Sequence, residues 1–158
     1  MPFVRYLNLL SLVVWVGGLV FFAFVLAPTV FGVLPTRELA GNVVSRCLAI
    51  LHWIGLCCGT LFAITAMIDA RVMEGVAHPL AARNLMIYLM VVLTLIGLFG
   101  LQSRMTALRS EMGIIDQLPT GDSRRIEFNR LHVWSTRLEG TVLVLGLAVL
   151  YLTSRRLS

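Results

Sequence analysis

Three stretches of this chain run for the length of a bilayer crossing without a formal charge: Tyr6 to Ala27, Cys47 to Ile68 and Asn84 to Ser103. A helix of about 20 apolar residues spans the roughly 30 Å of a hydrocarbon core, so each run predicts a transmembrane helix. A fourth apolar run, Gly140 to Thr153, is distinctly shorter. It reaches only about 21 Å, and the missing length has to come from upstream, through Leu138, Ser135 and Val133. That extension carries His132, Ser135, Thr136 and Glu139 along with it, spaced i, i+3, i+4 and i+7 on one helical face.

The pattern therefore predicts an all-α fold, a four-transmembrane-helix bundle forming a single integral membrane domain over residues 1–158. Its helices are expected at about 4–27, 43–69, 82–112 and 123–154, with the first loop from Pro28 to Asn42. The apolar part of the first segment is longer than the h-region of a signal peptide, and Val25-Leu26-Ala27-Pro28 is a poor cleavage site, so the segment is expected to be retained. Leu101 to Met112 continues a helical pattern beyond the third span. Leu118-Pro119-Thr120-Gly121-Asp122 is turn chemistry, and Asp122 or Ser123 can cap the helix that follows. Helices three and four are thus expected to form a long hairpin projecting from the membrane.

Composition agrees: 58% of residues are apolar and 13% charged, against about a quarter charged in soluble domains. The net charge of +5 is spread over the membrane flanks, with no concentrated basic patch to suggest a nucleic-acid partner. The 13 basic residues are all arginine, which points to a G+C-rich genome and so to a bacterial cytoplasmic membrane. Four crossings place both termini on one side, A, with Arg5, Arg71, Arg83, Arg155 and Arg156. Side B carries Arg37, Arg46, Arg104, Arg109, Arg124, Arg125, Arg130 and Arg137. The positive-inside rule then places side B in the cytoplasm and the termini outside. Cys47, Cys57 and Cys58 all fall in the second span without CxxC spacing, as packing residues would.

Once helix directions are assigned, the intramembrane polar residues gather toward side B. Arg46 and His52 come from helix two, Gln102 and Arg104 from helix three, and His132, Ser135, Thr136 and Glu139 from helix four. An acid inside a span costs on the order of 2 to 3 kcal/mol on insertion scales unless it is paired or hydrated. Glu139 needs a partner, and Arg46, His52 and Arg104 are the candidates; Arg137, two positions away, points elsewhere. A buried network that fixes bundle register is favoured over a transport or ligand site. On side A, Asp69, Arg71 and Arg83 lie at helix ends within reach of water, and no comparable cluster is expected there.

His52 and His132 are haem-ligand candidates by residue type, but their heights in the bilayer differ by roughly 10 Å, so hydrogen-bonded histidines are favoured. His78 reads as a loop residue. Neither haem b nor copper is predicted as a cofactor, and the dispersed methionines read as core filling. Gly55, Gly59 and Gly18 sit on small-residue stripes that suit close helix packing. HExxH, GxSxG, P-loop and dinucleotide fingerprints are lacking, and His132 with Ser135 lacks an evident oxyanion hole, so no catalytic residue is assigned.

Leu12-Val13-Val14-Trp15-Val16-Gly17-Gly18-Leu19-Val20-Phe21-Phe22, followed by Ala27-Pro28, Phe31 and Ala40-Gly41, resembles bacterial membrane proteins of domain of unknown function 4149. Ser103-Arg104-Met105 with Phe128-Asn129-Arg130-Leu131-His132 and Ser135 is similar to their eukaryotic relative, transmembrane protein 205. A shorter similarity to copper-resistance membrane proteins is confined to Trp15-Val16-Gly17-Gly18. The main resemblance implies a four-helix fold and a membrane location, with no established activity. It also implies an amide at position 139, where this chain has Glu. The function expected from these readings is that of an interaction, accessory or structural membrane component in contact with the lipid bilayer, in a homo-oligomer or a larger complex. A small-solute, proton or metal-ion transporter using the polar cluster around Glu139 is the alternative, and a b-type haem or metal-binding membrane protein comes third.

Overall fold

A computed structural model describes residues 2–75, 79–113, 118–119 and 121–155; His78, Thr120 and Arg156 lie outside the described residues. Those residues form four long helices and no strand, and each helix is long and apolar enough to cross a membrane. We number them α1 (Pro2–Val33), α2 (Arg37–Glu74), α3 (Ala82–Met112) and α4 (Ser123–Ser154).

Helix α1 does not stop at the proline expected to end it. Pro28 lacks an N–H and its ring crowds the carbonyl four residues back, which ordinarily kinks or breaks a helix. Here the preceding Phe22–Leu26 forms a wider π turn, closed by the Ala27 N–H on the Phe22 carbonyl, and the helix resumes over Ala27–Val33. It ends at Leu34, whose extended backbone (ψ 140°) suits a residue that precedes Pro35. Thr36 then caps α2, its Oγ1 accepting the Leu39 N–H at 3.2 Å, with Glu38 in the first turn. The expected loop from Pro28 to Asn42 is thus corrected to 34–36. At its other end α2 terminates on Gly75, which adopts the left-handed conformation (φ 73°) and returns its N–H to the Arg71 carbonyl.

Helices of 31 to 38 residues are about 47 to 57 Å long, well beyond a hydrocarbon core. The excess lies largely at side B, and it is not a lone α3–α4 hairpin. Arg104 grips Glu127 through two hydrogen bonds of 2.9 and 3.2 Å, joining α3 to α4. Arg109 donates to the Gly41 carbonyl, Asn42 Oδ1 and Ser45 Oγ at 3.0 to 3.1 Å, joining α3 to α2. The projecting end of α2 therefore stands beside the hairpin.

Around the bundle the helices touch in the order α1, α2, α3, α4 and back to α1. Leu12, Trp15, Val16 and Leu19 of α1 meet Leu51 and Phe62 of α2, Ile87 and Met90 of α3, and Val142 and Val149 of α4 in one core. The Trp15 indole lies across Gly55 and Gly59: a Cβ at Gly59 would come within 2.8 Å of the ring, and one at Gly55 would run into it. Gly18 admits Leu51 in the same way, at 2.7 Å. The small-residue stripe of α2 thus receives a large aromatic side chain. Outward-facing Val13, Ile50, Val92 and Val144 are exposed, as contact with a lipid bilayer requires.

On side A, Arg71 is exposed as expected, but Arg83 is buried and a polar cluster is present that the sequence reading does not expect. Asn8 Nδ2 donates to Thr65 Oγ1 (3.0 Å) and to the Phe62 carbonyl (3.2 Å), and Ser11 donates to the Asn8 carbonyl (2.8 Å). Arg5 pairs with Asp69 at 3.2 Å, and Arg83 is buried, 9% exposed. A second polar seam therefore ties α1 to α2, with the Asn8 amide N–H and the Ser11 and Thr65 hydroxyls satisfied within the protein.

Gly55→Ala should destabilise the bundle by about 1–3 kcal/mol through overpacking against Trp15. Gly17→Ala, where an added Cβ meets nothing within 4 Å, should be neutral or mildly stabilising. Reversible unfolding in mixed micelles, comparing both variants with the parent, measures the contrast. At the start of α4, Asp122 accepts hydrogen bonds from the Arg124 side chain and backbone N–H, which hold its carboxyl down at about 2. Its folded value lies below its unfolded one, so the stabilisation is present above about pH 4 and is lost as pH falls toward 2. Asp122→Ala should lower thermal stability at pH 7, and the gap should close at about pH 2.

Candidate functional site

Within the bundle, the polar stripe of α4 meets the others at one place. His52 Nε2 lies 2.6 Å from Glu139 Oε1; the imidazole is 3% exposed and the carboxylate 17%. This answers the need of an acid carried into an apolar span, and Glu139 takes His52 rather than either arginine. Gly97 of α3 stands beside the contact. A Cβ there would stand 3.4 Å from both the His52 ring and Leu138. It belongs to a second π turn, Ile96–Gln102, which interrupts α3 at this height. The buried Nδ1 of His52 has no hydrogen-bond partner among the described residues.

Glu139 also faces outward, into a cavity of about 350 Å³ that is walled by all four helices. Helix α1 contributes Leu19, Phe22, Ala23, Phe24 and Phe31, and α2 contributes Gly41, Val44, Ser45 and Leu48. Gln102, Met105, Thr106 and Arg109 come from α3, and His132, Ser135, Thr136, Glu139, Gly140 and Leu143 from α4. The opening has a structural cause. Helices α1 and α4 touch along Pro2–Phe21, but past the π turn the Ala27–Val33 segment packs on α2, so α1 and α4 part. Thr136 and Gly140 on one lip and Phe24 and Phe31 on the other are exposed, so the cavity opens sideways between these helices.

Of the residues singled out by sequence, Gln102, His132, Ser135, Thr136 and Glu139 share this cavity, with His52 immediately behind Glu139. Arg104 is outside, paired with Glu127, and Arg46 is exposed and does not line the cavity. His52 and His132 part company: His52 is committed to Glu139 in the seam, while His132 stands at the exposed end of the stripe. Gly55, Gly59 and Gly18 serve the packing around Trp15 and Leu51.

Sequence reading missed Ser45, Thr106, Arg109 and the three phenylalanines. The mixed charges around Arg109 predict a solvated face; the side chain instead turns inward to the backbone of α2, with its guanidinium 5.2 Å from the centre of the Phe128 ring. A signal is present, since Gln102, Thr106 and Arg109 recur at i, i+4 and i+7 on α3 and mirror the stripe on α4.

Several polar atoms around the cavity are already used. Gln102 Nε2 donates to the Ser45 carbonyl at 2.6 Å, leaving its buried Oε1 without a partner among the described residues. Thr136 donates to the His132 carbonyl one turn back, at 3.0 Å.

No curated protein and no solved structure matches the chain. A family model does match, over residues 10–113, which takes in most of α1, all of α2 and α3, and their share of the cavity wall, but not the α4 stripe with Glu139. The match covers well over half of the 158 residues, and the chain belongs to the family named for that domain, the domain of unknown function DUF4149.

Proposed function

We propose that this four-span membrane protein binds a small amphiphilic molecule that enters its cavity sideways from the bilayer. The observation that carries this reading is the double position of Glu139, whose carboxylate is held by His52 in the helix seam and also forms part of the cavity wall. A register-fixing pair alone needs no cavity beside it, and a packing defect in a lipid-filled bundle would not gather polar side chains from three helices. The volume falls at the lower end of small-molecule sites, and a mostly apolar wall with a few convergent polar groups is their usual composition.

Toward side A the bundle beneath Glu139 is filled by Trp15, Val16, Leu51, Met90 and Val142. The cavity is thus floored on that side, which suits binding and presentation of a ligand. An accessory role is compatible with this reading; the ligand is what the protein would bring to a complex.

Gly140 supplies the test. It lines the cavity, and a Cβ there would meet nothing within 4 Å, so a large side chain at this position fills the space without disturbing the core. A diazirine-bearing aliphatic alcohol, photoactivated in native membranes, should label residues of the 22–31 and 135–143 segments. Gly140→Phe should reduce that labelling by about tenfold while thermal stability stays within about 0.5 kcal/mol of the parent. Labelling spread evenly over lipid-facing residues, or unaltered in Gly140→Phe, would remove the reading.

A further inference from the structure

Resting on the binding role above, we propose that the ligand is a protonated amine with an apolar body, held by Glu139 as its counter-ion. The charges and hydrogen-bonding atoms that the cavity leaves open select this chemistry.

Two of the described lining residues carry formal charge, Arg109 and Glu139. The guanidinium Nη1 is shared among three acceptors of α2, near the Phe128 ring, so part of its hydrogen-bonding capacity is spent within the protein. The carboxylate keeps one of its two oxygens open. His52 takes Oε1, and among the described residues no hydrogen bond reaches Oε2.

His52 meets the carboxylate through Nε2, and its Nδ1 is buried without a hydrogen-bond partner among the described residues. The open oxygen of Glu139 lies in a wall of low polarity, where a carboxylate without a partner is costly and a cation is favoured.

The neutral groups point the same way. Gln102 uses one amide N–H on Ser45 and leaves its buried Oε1 unpaired among the described residues; Thr136 spends its O–H on His132 and leaves its lone pairs. Glu139, Gln102 and Thr136 thus each offer an unused acceptor. An ammonium group, with three N–H donors and a positive charge, matches that set. Phe22, Phe24 and Phe31 supply aromatic rings, whose faces attract cations, along with apolar surface for the rest of the molecule.

Phenethylammonium and its uncharged isostere propylbenzene distinguish the amine assignment from the binding role beneath it. Their equilibrium binding is measured to protein in lipid nanodiscs, with empty nanodiscs subtracted. The amine should bind at least about tenfold tighter than propylbenzene to the parent protein, and Glu139→Gln should bring the two affinities together. Gln102→Leu removes the open amide oxygen and should weaken the amine severalfold more than propylbenzene; it serves as the variant if Glu139→Gln does not fold. Equal affinity of the two probes for the parent protein overturns the amine assignment and leaves the binding role standing. Failure of both probes to bind overturns the binding role as well.

Discussion

A carboxyl group inside an apolar helix has to be satisfied by the protein, because lipid offers it nothing, and the side B half of this bundle is arranged around that requirement. The apolar run of α4 is too short to cross alone, so Glu139 travels into the membrane with it. His52 meets it at 2.6 Å from the adjacent seam of α2. Gly97 of α3 stands beside the contact, within a π turn that also carries Gln102 to the cavity wall. One hydrogen bond thus fixes α2 and α4 relative to each other, with α3 packed against it at Gly97.

The remaining helix, α1, is placed by packing rather than by polarity. Its side A half is locked to α2 by Trp15 seated on Gly55 and Gly59 and by Asn8 bridging to Phe62 and Thr65. Beyond Phe21 the π turn and Pro28 redirect the chain, and the Ala27–Val33 segment follows α2 while α4 continues on its own course. The cavity is the space left between them. A straight α1 would keep contact with α4 and close it, so the bulge and the proline have a structural consequence well beyond local backbone geometry.

What is legible in the sequence follows from which forces are periodic. The four spans announce themselves by uninterrupted apolar length, and the α4 stripe by its i, i+3, i+4, i+7 spacing, because both depend on helical repetition alone. The extension of α1 through Pro28 is not legible: a proline reads as a stop, and whether a π turn absorbs it depends on the neighbour that the following segment packs against. Thr36 with Glu38 is a legible start signal for α2, masked by the loop-like charges around it. Arg109 misleads for a related reason. Its neighbours Glu111 and Arg124 describe a solvated surface, and only the extension of α2 toward side B gives Arg109 the Gly41 and Ser45 acceptors that draw it inward. Asn8 shows the converse case, a lone amide in a greasy run whose partners lie on a different helix and leave no mark in the local pattern.

The identity of residue 139 separates the two duties of the site. The resemblance implies an amide here, and an amide carbonyl would accept the His52 Nε2–H as the carboxylate does, so the seam between α2 and α4 does not require a charge. Bundle register is served equally well by either group, at lower desolvation cost with the neutral one. The extra element that Glu brings is its charge and an open second oxygen, and the cavity is the place where both can be used. A chain that carries the more expensive group, with one carboxylate oxygen unpaired among the described residues at a cavity wall, supports the proposal that this charge serves something that enters from outside the fold.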